Sequence, residues 1–194
     1  MSPHILLILT DQFRLDGFSP TLTPNLHALS LSGTTFNNAY ASTPTCTPSR
    51  AGILTGRSPW NHGMLAYYDD VDCEKYPTTM PGILKEAGYE SFVAGKDHFG
   101  MHDDGTPITQ GYDHVSLYDG LTEEIDDYDQ FFDNAMPGKE PMATCDLDWN
   151  MWQACPYVYD EYYHPTSWTT RTAVDYIDGF DFNQTETRMF LKLS

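Results

Sequence analysis

His4-Ile5-Leu6-Leu7-Ile8-Leu9 is an apolar run without alternation, and it ends at Thr10-Asp11-Gln12. Such a run suits a strand buried on both faces, as in a sheet covered by helices. It places a carboxylate just past the strand's carboxyl end, the edge at which open α/β sheets bind ligands. Working outward, Thr23-Pro24 opens a helix through about Ser32, with Pro in the first turn and Gly33 as its stop. Thr35-Phe36 to Tyr40 reads as a strand. Helices are expected from about Pro48 to Leu54 and from Thr79 to Ala87, the second closed by Gly88. Ser91-Phe92-Val93-Ala94 is a second buried strand that ends at Gly95-Lys96-Asp97-His98. Ser167 to Ile177 reads as a helix, and Arg188-Met189-Phe190-Leu191-Lys192-Leu193 as a third apolar strand. Strand and helix alternate, so the expected class is α/β. The last strand stops one residue before the sequence does. Either Leu193 lies at a sheet edge or the chain is a fragment, and the second reading is preferred.

Composition narrows the function classes. The 194 residues carry 28 acidic and 10 basic side chains, a formal net charge of −18. General nucleic-acid binding is excluded, because it relies on Lys and Arg to displace counterions from phosphates. A hydrophobic share of 40% with 14% aromatics argues against disorder. No apolar run approaches the roughly 18 residues of a membrane helix. The longest, Ile5 to Leu9, lacks the flanks of a secretory signal, so a cytoplasmic location is expected with export left open. Cys46, Cys73, Cys145 and Cys155 show no CxxC pairing and are too sparse for a disulfide scaffold, so reduced thiols are expected. Residues 101–161 hold 15 acidic residues against Lys139 alone. This aromatic-rich stretch reads as an insertion with a solvated acidic face. A substrate lid built on aromatic faces from Tyr118 to Tyr163, Trp149 and Trp152 included, is the weaker alternative.

The chemistry concentrates in Cys46-Thr47-Pro48-Ser49-Arg50-Ala51-Gly52-Ile53-Leu54-Thr55-Gly56-Arg57. The pattern sets a thiol at the mouth of a helix whose first turn holds Pro48. Partial positive charge and unpaired N–H groups at a helix start lower a thiol's pKa and attract an anion. Arg50 follows one turn later, where a guanidinium can fork onto an oxyanion. A buried Cys before an ordinary helix is the plain alternative, and it leaves the order Pro, Ser, Arg unexplained.

Through Cys46, Pro48, Ser49, Arg50, Leu54, Thr55 and Gly56, this stretch resembles the signature of the type I sulfatases, in the alkaline-phosphatase-like superfamily. Gly88-Tyr89-Glu90-Ser91-Phe92-Val93-Ala94-Gly95-Lys96-Asp97-His98 resembles the family's second signature, with Asp97 where an aromatic is usual. Lys96 and His98 lie two apart, so on an extended chain they point one way and Asp97 the other. Leu9-Thr10-Asp11-Gln12 resembles the metal-binding end of the family's first strand, Gln12 replacing a second acidic residue. Gly56-Arg57-Ser58-Pro59, with His62-Gly63, resembles a recurring segment read as a structural turn on which His62 caps or packs. His98 and His102 are four apart, but Gly100 and Asp103-Asp104-Gly105 argue against a helix there and hence against a zinc pair.

The resemblance implies an alkaline-phosphatase-like sandwich, with a central mixed, mostly parallel sheet flanked by helices and incomplete at the C-terminus. Residues 1–194 are then the N-terminal part of a sulfatase catalytic domain and not competent alone. It implies hydrolysis of aryl or carbohydrate sulfate esters by a formylglycine made from Cys46 by a transiently bound maturase. A divalent cation, Ca²⁺ first with Mg²⁺ or Mn²⁺ as alternatives, is then held by Asp11, Gln12 and the Cys46-derived oxygen. Arg50 and Lys96 stabilise charge on the nucleophile and sulfuryl oxygens, and His98 orients or assists the hydroxyl that loses its proton as sulfate leaves. The partners implied are a sulfated small molecule or glycan, with neither nucleic acid nor membrane. The alternatives are a phosphonate monoester or phosphodiester hydrolase on the same scaffold, and a non-catalytic carbohydrate-binding relative.

Overall fold

The structure, a computed structural model, describes residues 3–65, 76–100, 102, 106–119, 125–142, 153–184 and 186–194. Strands β1 (Ile5–Ile8), β2 (Tyr89–Gly95), β3 (His114–Leu117) and β4 (Arg188–Leu193) form one sheet in the order β1-β4-β2-β3. All three pairings among the described residues are parallel. The helices are α1 (Pro24–Ser30), α2 (Cys46–Thr55), α3 (Pro59–His62), α4 (Met80–Glu86), α5 (Asp127–Ala135) and α6 (Pro165–Gly179).

Parallel strands need helices on their faces, and the side-chain alternation shows which helix covers which. Val93 and Phe190 point to the side of α2 and α4, where Ala51, Leu54 and Leu84 meet them. Phe92, Ala94, Met189 and Leu191 point to the opposite side, against Ala173, Tyr176 and Ile177 of α6. The two central strands are thus buried on both faces. β1 is not, which corrects the expectation drawn from its apolar run. Ile5 and Leu7 pack on the α2–α4 side, whereas Leu6 and Ile8 are 51% and 44% exposed. β1 is an edge strand beyond the reach of α6. β4, by contrast, is interior, so Leu193 does not lie at the sheet edge.

Thr35 to Tyr40 forms no strand. Asn37-Asn38 make a turn there, and Phe36 and Tyr40 lie 79% and 88% exposed with no neighbouring strand to pair with. The acidic stretch is also not a simple solvated face. It contains β3 and α5, and Tyr128 and Phe132 of α5 are fully buried against Trp168 of α6. Tyr118, Tyr128, Phe132 and Tyr159 of this stretch pack on one another and on Tyr163 just beyond it. Trp149 and Trp152 lie outside the described residues. So do Cys73 and Cys145. Cys46 is a free thiol, but Cys155 is disulfide-bonded, which corrects the expectation of reduced thiols throughout. Cysteine pairing depends on which segments the fold brings together, and linear spacing does not encode that.

Candidate active site

The parallel register builds the site. Ile8 of β1 and Ala94 of β2 both align with Leu193 of β4. The chain therefore leaves β1 and β2 at the same height, on either side of β4. Backbone bonds lock this edge: Leu9 N–H donates to Leu193 O (2.8 Å), Ser194 N–H to Ala94 O (3.0 Å) and Lys96 N–H to Ser194 O (3.1 Å). Gly95, at φ +96°, has to be glycine here, because a Cβ would stand 1.9 Å from Ser194 O.

Asp11 and Lys96 meet across this edge, Lys96 Nζ donating to Asp11 Oδ2 at 2.8 Å. Arg50 approaches from α2, with Nη2 3.7 Å from Asp11 Oδ1. Its other terminal nitrogen donates to Lys96 O and Ser194 Oγ, both at 2.5 Å, which fixes a guanidinium that is only 7% exposed. Burial works to raise the Asp11 carboxyl, but the hydrogen bond and charge of Lys96, with the charge of Arg50, hold it below its usual value. Cys46 opens α2 with Thr45 as its N-cap and Pro48 in its first turn, as the sequence implies. Cys46, Asp11 and Arg50 line one open cleft of about 610 Å³, together with Tyr40, Ser49 and Arg57.

His98 follows Lys96 by two residues and is 6% exposed. Burial pushes its imidazole down to about 4; Asp119 opposes the shift, and Lys96 and Arg50 add to it. The ring is therefore neutral at neutral pH. The Lys96–His98 segment is not extended as the two-residue spacing suggested: His98 sits at φ +59°. Asp97 turns into the interior. It is fully buried on the α2–α4 side, where it forms an ion pair with Lys192 of β4. Sequence reasoning missed Lys192. The available signal was a lysine inside an apolar strand, because a buried cation needs a partner.

Gln12, at φ +52°, is exposed and forms no part of the cleft wall. Among the described residues no group of three or more His, Cys, Asp or Glu side chains is placed to hold a metal ion. A carboxylate and an amide suit a hard cation in kind, but two such donors fall short of the six to eight oxygens that Ca²⁺ takes. His62 is buried, and its Nδ1 accepts from Met64 N–H at 3.1 Å, so it packs within α3 as expected.

No helix among the described residues is long and apolar enough to cross a membrane. The family model described as Sulfatase matches residues 3–185. An arylsulfatase from Clostridium perfringens is 32% identical over 213 residues, covering all of this chain and 43% of that protein. An N-acetylgalactosamine-6-O-sulfatase from Bacteroides thetaiotaomicron is 37% identical over 118 residues, covering 57% of this chain and 23% of that protein. A phosphonate monoester hydrolase from Silicibacter pomeroyi superposes with a TM-score of 0.73 at 18% identity, over 99% of this chain and 40% of its own, a likeness of fold alone. The chain thus spans less than half the length of these relatives. With that match over nearly its whole length, on an alkaline-phosphatase-like α/β fold, the chain belongs to the sulfatase family.

Proposed function

We propose that this chain forms the nucleophile-bearing part of a sulfate ester hydrolase acting on aryl or carbohydrate sulfates. One observation carries the reading: Arg50 and Lys96 converge on Asp11 beside Cys46, at the carboxyl edge of a parallel sheet. Two fixed cations beside an anion-favouring helix start suit a tetrahedral oxyanion. Residues 1–194 are read as the N-terminal part of the catalytic domain.

Cys46, converted to formylglycine by a maturase, is the proposed nucleophile. A divalent cation, Ca²⁺ with Mg²⁺ and Mn²⁺ as alternatives, would be held by Asp11, Gln12 and the Cys46-derived oxygen; when bound it supplies Lewis-acid activation of the nucleophile. The chain's own side chains do the rest. Arg50, pinned by Lys96 O and Ser194 Oγ, presents its remaining N–H groups to a sulfuryl oxygen. Lys96 adds a second cation through its contact with Asp11. His98, left unprotonated by burial, is the side chain proposed to orient or assist the hydroxyl that loses its proton as sulfate leaves.

The phosphonate hydrolase reading is favoured by Gln12, which removes one unit of negative charge from the expected ligand pair. The test compares hydrolysis of paired aryl sulfate and aryl phosphonate esters by the whole protein that contains this chain, produced with a maturase, with Cys46 followed by intact mass. Faster sulfate release with a modified Cys46 is expected. Faster phosphonate cleavage favours the alternative, and an unmodified Cys46 favours a non-catalytic glycan-binding protein. The Cys155 disulfide also favours an oxidising compartment over the cytoplasm. A thiol count on protein isolated from its native source checks this, and a full complement of free thiols would contradict it.

A further inference from the structure

The turn that carries Lys96 and His98 has an anchor outside every motif that the sequence displays. After Gly95 the backbone N–H groups of Asp97 and His98 both donate to a single oxygen, Asp119 Oδ1, at 2.7 and 3.0 Å. Successive N–H groups turned onto one anion form a nest. A nest requires left-handed backbone, which a residue other than glycine adopts only when its surroundings impose it. His98 adopts it at φ +59°. Asp119 is 5% exposed and lies just past β3. Burial raises its carboxyl, against the His98 N–H and the charges of His98, Arg50 and Lys96.

Asp119 is itself held in place. Its N–H donates to Asp126 Oδ2 at 2.7 Å, and Asp126 caps α5 through a reciprocal box with Asp129. Asp127 accepts from Leu117 N–H at 2.7 Å, tying β3 to the same helix. A continuous set of hydrogen bonds thus runs from α5 through Asp119 to the Lys96–His98 turn. On the cleft side of that turn Lys96 meets Asp11, and on the buried side Asp97 meets Lys192.

We propose that Asp119 is a positioning residue for oxyanion binding: its carboxylate sets the left-handed turn that aims Lys96 into the cleft and holds His98 beside it. The oxyanion itself rests on the function proposed above; the clamp does not. The proposal gives a role to a carboxylate that the catalytic scheme leaves unused.

The test uses Asp119→Ala, Asp119→Asn and a control, Phe132→Leu, which thins the aromatic cluster without touching the turn. Three readouts are taken: amide resonances of Asp97 and His98, affinity for inorganic sulfate in the presence of Ca²⁺, and melting temperature. Asp119→Ala is expected to move both amide resonances and to weaken sulfate binding about tenfold or more, the scale of a lost charge-assisted bond. Asp119→Asn keeps an acceptor oxygen and should restore most of the affinity, though the amides still shift with loss of the charge. Phe132→Leu should lower the melting temperature and leave sulfate affinity unchanged. Should Asp119→Ala not fold, Asp119→Asn alone decides through the amide shifts. Unmoved Asp97 and His98 amides, or sulfate affinity that falls only in step with melting temperature across all variants, would overturn the proposal. Wild-type protein that binds no sulfate while the amides respond to Asp119 would sink the functional reading and leave the clamp intact.

Discussion

Carboxylates serve opposite purposes at two places along the carboxyl edge of the sheet. At the cleft, Asp11 faces Lys96 and Arg50, side chain against side chain. Around α5, Asp126, Asp127 and Asp129 face backbone N–H groups and join a helix to a strand. The first arrangement leaves donors directed at a cleft. The second is closed on itself, with Tyr128, Phe132 and Trp168 packed alongside. Charge that looks alike in composition therefore divides into a part that faces a cleft and a part that holds the fold, with Asp119 joining them.

Four results would break or sharpen this contrast. Phe132→Ala empties the aromatic cluster and should destabilise the protein by about 3–5 kcal/mol in denaturant melts, with sulfate affinity kept in the folded fraction. Arg50→Ala should do the reverse. Loss of one fixed oxyanion donor costs about 10²–10³-fold in turnover, read as kcat of the whole protein on an aryl sulfate, with a smaller change in melting temperature. If Arg50→Ala instead unfolded the chain and Phe132→Ala emptied the cleft, the division would fail. Asp126→Ala removes an N-cap and the Asp119 anchor together, an expected loss of about 1–2 kcal/mol, measurable by urea midpoint.

The fourth result is a matter of sign. His98 is held down to about 4, so between its ordinary value and 4 the unfolded chain binds more protons, and this group lowers stability as pH falls. Asp126 is raised to about 6, burial being the main cause, so in much the same window the folded chain binds more protons. Asp126 therefore raises stability as pH falls. Melting temperature against pH in His98→Gln should shift towards better acid tolerance than wild type, and in Asp126→Asn towards worse. Equal slopes in both variants would contradict the two assignments.

How much of this the sequence discloses depends on distance along the chain. β2, β4, α2 and α6 are legible because apolar runs, Pro at helix starts and Gly at helix ends are local signals. Cys46, Arg50, Lys96 and Asp11 are legible as motifs, and the shared register with Leu193 explains why they converge. α5 was overlooked although Asp126 and Asp129 have capping-box spacing and Tyr128, Phe131 and Phe132 share one face; the density of acid in that stretch obscured its apolar stripe. β3 is four residues long with alternating polarity too brief to read. Strand order, the Asp97–Lys192 pair and the Asp119 clamp join residues from 21 to 185 positions apart, and no local pattern marks them.

The most direct test is the alkylation rate of the Cys46 thiol in protein made without maturase, with Ca²⁺ present and inorganic sulfate titrated in. The account predicts that sulfate slows alkylation in the wild type, and that Arg50→Ala and Lys96→Ala abolish the protection while leaving the sulfate-free rate largely intact. A Cys46 that reacts at one rate whatever the sulfate concentration would show that these side chains do not share an oxyanion site.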